Sequence, residues 1–189
     1  METNTKILNK EFESASPEKK RVMIAQDVIR FLDQERILAY PGTYFNVPEL
    51  SFGAMRKINK EIELCEVLRE VKECELCAIG GMFYSAVMNH NNLKVSDVYS
   101  IERLYLGISD GIFISGLKLV DYLEKFFSRK MLRLIETAFE GDVVEDVFSD
   151  SDVPEVLAAI AFYNRYDDPK ETMIAIMENI INNDGEFKP

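Results

Sequence analysis

The chain has 189 residues, 47% hydrophobic and 29% charged, with a net charge of −11 at neutral pH. That length fills one good core and is too short for two full domains. The longest uninterrupted apolar stretch, "VLAAIAFY" (156–163), is far short of a bilayer span, and three cysteines do not make a secreted disulfide framework.

Helix signals dominate in chain order. The opening "METNTKILNKEFESASPEKK" lacks the apolar core of a signal peptide, so residues 1–15 are expected to be a flexible segment of a cytoplasmic protein with reduced thiols. Ser16 is placed as an N-cap before Pro17, and Val22, Ala25, Val28, Ile29 and Leu32 follow helical spacing, which predicts one helix over 17–38. "YPGTYFNVPEL" (40–50) breaks it with two prolines and a glycine, and a short strand pair is allowed only there.

Further helices are expected over 54–71, 78–90, 96–107 and 117–127. Ser128 caps the next one, which stops at Gly141, and "DVVEDVFSDSD" (142–152) reads as an acidic connector. "VPEVLAAIAFY" should be a helix buried on nearly all sides. Asp168 and Pro169 open a last helix, ended by Asp184-Gly185. The expected fold is all-α: residues 16–189 form a single compact domain of about seven or eight helices.

The charge is unevenly spread. Residues 134–189 carry fourteen acids and three bases, whereas the first 133 residues carry nineteen of each sign. No Lys or Arg occurs from Leu134 to Asn164, a stretch holding Glu136, Glu140, Asp142, Glu145, Asp146, Asp150, Asp152 and Glu155. Phosphate binding needs cations, so direct nucleic-acid binding is not expected, and a basic protein partner fits better. The acids around 146–155 lack the alternation and the glycine of a calcium loop.

"KECELCAIGGMFYSAVMNH" (72–90) holds two cysteines and the single histidine. Cys74 and Cys77 have the C-x2-C spacing of a zinc site, with Cys65 and His90 as further donors. A helix from Cys77 to His90 would hold those two roughly 20 Å apart, which is incompatible with a shared ion. A thiol at a helix start is the position of an activated nucleophile, but the base would again have to be His90. Packing accounts for the pattern more simply: Cys77, Gly81 and Ser85 recur every fourth residue as a stripe of small side chains suited to a close helix contact. No metal and no cofactor is expected.

"ELCAIGGMFYSAV" resembles the Cys-Ala-aliphatic-Gly-Ala/Gly helix start of a family of uncharacterised small bacterial and phage proteins, and "DDPKETMIAIMENIINNDGEFKP" is similar to phage-encoded tails. The resemblance carries over no catalytic residue; it implies a viral or mobile-element origin, where small acidic proteins often neutralise host factors. The functional expectation is a non-enzymatic protein that binds a basic host protein, such as a nucleic-acid-binding or defence protein, through the acidic face 136–155. The alternatives are a small-ligand-binding protein with a pocket near Tyr44, Cys77 and Tyr84, and a cysteine-dependent enzyme using Cys77.

Overall fold

A computed structural model describes residues 10–47, 63–90, 93–94, 112–113, 116–142 and 149–189. Seven α-helices can be followed end to end among them: α1 (Pro17–Asp33), α2 (Leu64–Glu70), α3 (Ala78–His90), α4 (Gly116–Leu123), α5 (Arg129–Glu140), α6 (Val153–Tyr163) and α7 (Pro169–Asn182). The fold is a predominantly all-α single domain, as expected. The expected helix over 96–107 and the first half of the one over 54–71 lie outside the described residues.

Local chemistry sets the helix ends. Ser16 accepts the Lys19 amide at 3.3 Å, Ser128 that of Met131 at 3.2 Å, and Asp168 that of Lys170 at 2.8 Å. Each cap supplies an oxygen to an amide that has no partner within the helix. Gly141 stops α5 at φ +79°, a conformation that side chains with a Cβ rarely adopt, and its amide returns to the Thr137 carbonyl at 3.0 Å.

Three expectations are corrected. Helix α1 ends at Asp33, not 38, and Ile37–Ala39 is a strand, β1. A strand was allowed only within 40–50, yet β2 (Asn46–Val47) belongs to a four-stranded sheet with β3 (Cys74–Leu76) and β4 (Ile112–Phe113), in the order β1-β3-β2-β4. β1 runs parallel to β3, pairing Ile37 with Cys74, while β2 is antiparallel to β3 and β4. Residues 10–14, expected to be flexible, are helical. Phe12 there is fully buried against Phe126, and Glu13 pairs with His90 at the end of α3.

Helix α3 is the centre of the core. Eleven of its thirteen residues are buried, including Met82, Phe83, Tyr84 and Val87. The largest helix contact is α1 on α7, and both meet α3 at Gly81, where an added Cβ would lie 3.4 Å from Val28 and 3.5 Å from Met173. Helices α5 and α6 pack together at the acidic end, and α5 also touches α3 and α7. No helix among the described residues is long and apolar enough to cross a membrane.

Candidate functional site

The eight acids of the expected face do not act alike. Glu136 is 5% exposed, its carboxylate held by Arg133 one turn earlier and by the Tyr44 hydroxyl. Burial and that carboxylate push the Tyr44 phenol well above its ordinary range. Glu140, half-buried, accepts the Gly42 amide at 2.7 Å, and burial raises its own pKa. Both residues fasten the loop 40–45 to α5. Glu136 is corrected from a partner contact to an internal anchor, whereas Glu140 keeps part of its side chain at the surface.

The same loop is tied to α3. The Cys77 amide donates to the Thr43 carbonyl at 2.7 Å, and the Tyr44 carbonyl lies where a Cβ on Gly80 would stand, 1.7 Å away. Phe45 is fully buried against Phe83. Tyr40, 52% exposed, is the large side chain that projects from this loop.

The outward acids begin after α5. Asp142 is exposed, Glu145 and Asp146 lie outside the described residues, and Asp150 and Asp152 form a 3-10 turn leading into α6. Asp152 accepts from Ser149 and pairs with Lys130 at 2.6 Å, which holds its carboxyl far below the usual range. Glu155 meets the same Lys130 at 2.8 Å. One lysine shared by two carboxylates leaves a net negative charge at the start of α6.

Helix α6 is not buried on nearly all sides, as its composition had suggested. Val156, Ala159 and Phe162 face the core, whereas Leu157 is 59% and Val153 49% exposed, with Pro154 and Ala161 also exposed. Val153, Leu157 and Ala161 recur every fourth residue, which aligns them as one outward apolar strip. Beside it lies a cleft of about 450 Å³ between α5, α6 and the tail, lined by apolar Met131, Leu134, Ala158 and Phe187 and by charges of both signs, Lys130 and Lys188 with Glu155 and Glu186. Sequence reasoning missed this strip, although α6 carries a single charge, Glu155, and that scarcity was the available signal.

The alternative ligand residues do not converge on the cleft; none of Tyr44, Cys77 and Tyr84 lines it. Tyr84 is buried against Phe31, with its hydroxyl directed at the Leu68 carbonyl at 3.5 Å. Cys77, 2% exposed, has its thiol pushed up to about 12 by burial. His90 stands at the far end of α3 between the rings of Phe12 and Phe126. Twelve helical residues separate it from Cys77, so the two share neither an ion nor a proton. Comparison with protein-family models, curated proteins and solved structures finds no match for this chain.

Proposed function

We infer that this is a non-enzymatic, cytoplasmic binding protein that presents the acidic end of its fold to a basic surface on another protein. The single observation that carries the reading is the separation of charge: a neutral first 133 residues, and no Lys or Arg from Leu134 to Asn164. Ordinary surfaces mix charge signs, whereas a one-sign surface steers an oppositely charged partner. Of the acids 136–155 that the structure describes, Asp142 and Glu155 are exposed, and Glu155 shares Lys130 with Asp152. The resemblance of residues 75–87 and of the closing segment to phage-borne proteins extends the reading to a host protein as the partner, competing there with nucleic acid for a basic groove.

The test is capture from host lysate on immobilised protein, with the bound proteins identified by mass spectrometry. Basic proteins should be retained at low salt and released as salt rises. A variant with Asp142, Glu145, Asp146 and Asp150 changed to Lys should retain none of them. Asp152 is left in place because it caps the 3-10 turn. If the reversed variant retains the same proteins, the acidic segment serves solubility alone.

A further inference from the structure

We draw no further inference here: the strongest candidate, the exposed apolar strip of Val153 and Leu157 beside the cleft between α5, α6 and the tail, carries nothing because the cleft is lined by charges of both signs and nothing in the structure shows what covers the strip.

Discussion

Arg21 on α1 donates its Nε–H to the carbonyl of Gly185, 164 positions along the chain, at 2.7 Å. The same guanidinium reaches the Phe126 carbonyl at 3.1 Å and the Glu186 carboxylate at 2.6 Å. One buried side chain thus joins α1, the end of the α4 region and the tail after α7. Arg21→Met should cost about 2–3 kcal/mol by leaving the buried carbonyls without a donor. Arg21→Lys should recover little, because an ammonium cannot match the flat fork that serves three acceptors. Chemical denaturation decides the matter, and an unchanged midpoint for Arg21→Met would show that the tail is held without it.

Gly80 and Gly81 are adjacent but should respond oppositely to a methyl group. A Cβ on Gly80 would meet the Tyr44 carbonyl oxygen at 1.7 Å, so Gly80→Ala must move the loop 40–45. A loss of about 1–3 kcal/mol is expected. A Cβ on Gly81 meets only side-chain atoms at ordinary contact distance, and helix propensity favours Ala over Gly by about 1 kcal/mol. Gly81→Ala should therefore be neutral or stabilising, while Gly81→Leu should overpack Val28 and Met173. Equal midpoints for the two alanine variants would contradict the close approach at Gly80.

Glu136→Ala should destabilise the fold by about 3 kcal/mol, because it strands the largely buried Arg133 without its carboxylate. It also deprives the Tyr44 hydroxyl of its acceptor. The expected signature is a lowered denaturation midpoint with low-salt capture of basic proteins retained. Lost binding in a chain that still folds would return Glu136 to the partner surface.

The thiols predict a weakness at alkaline pH. Burial pushes Cys65 up to about 11 and Cys74 and Cys77 up to about 12, from an ordinary value of 9.0. The folded chain therefore keeps protons that the unfolded chain releases, so stability is complete below about pH 9 and falls as pH rises toward 11–12. Each thiol contributes a slope of up to about 1.4 kcal/mol per pH unit in that window. Urea denaturation at about pH 8 and about pH 10 measures the fall. At neutral pH a disulfide reagent should label the three cysteines only after unfolding, and fast labelling of native Cys77 would contradict its burial.

The caps were legible because their chemistry is local. Ser16, Ser128, Asp168 and Gly141 each act within four residues of their partners, so the sequence alone places them. The strands were not, because each is two or three residues long and exists through pairing with a distant segment. Ile37 to Ala39 follows α1 with no proline or glycine between, and only the bond to β3 makes it a strand. The small-residue stripe pointed to the right helix, but the tightest approach falls at Gly80, one position off it. Glu136 looked like its acidic neighbours because nothing local shows that Tyr44 closes over it. Helix α6 was read as buried because an apolar residue looks the same in sequence whether its cover is its own fold or nothing.

The contact of α1 with α7 also constrains how the protein is made. Val28 meets its α7 neighbour Met173 only after some 145 further residues have been synthesised, by position in the chain. At typical elongation rates of about 5–20 residues per second, that wait lasts roughly 7–30 s. During it, Ile24 and Val28 sit on a ribosome-bound chain whose central three-helix junction is incomplete. The junction therefore closes only once α7 has emerged, and until then the apolar face of α1 lacks its α7 cover.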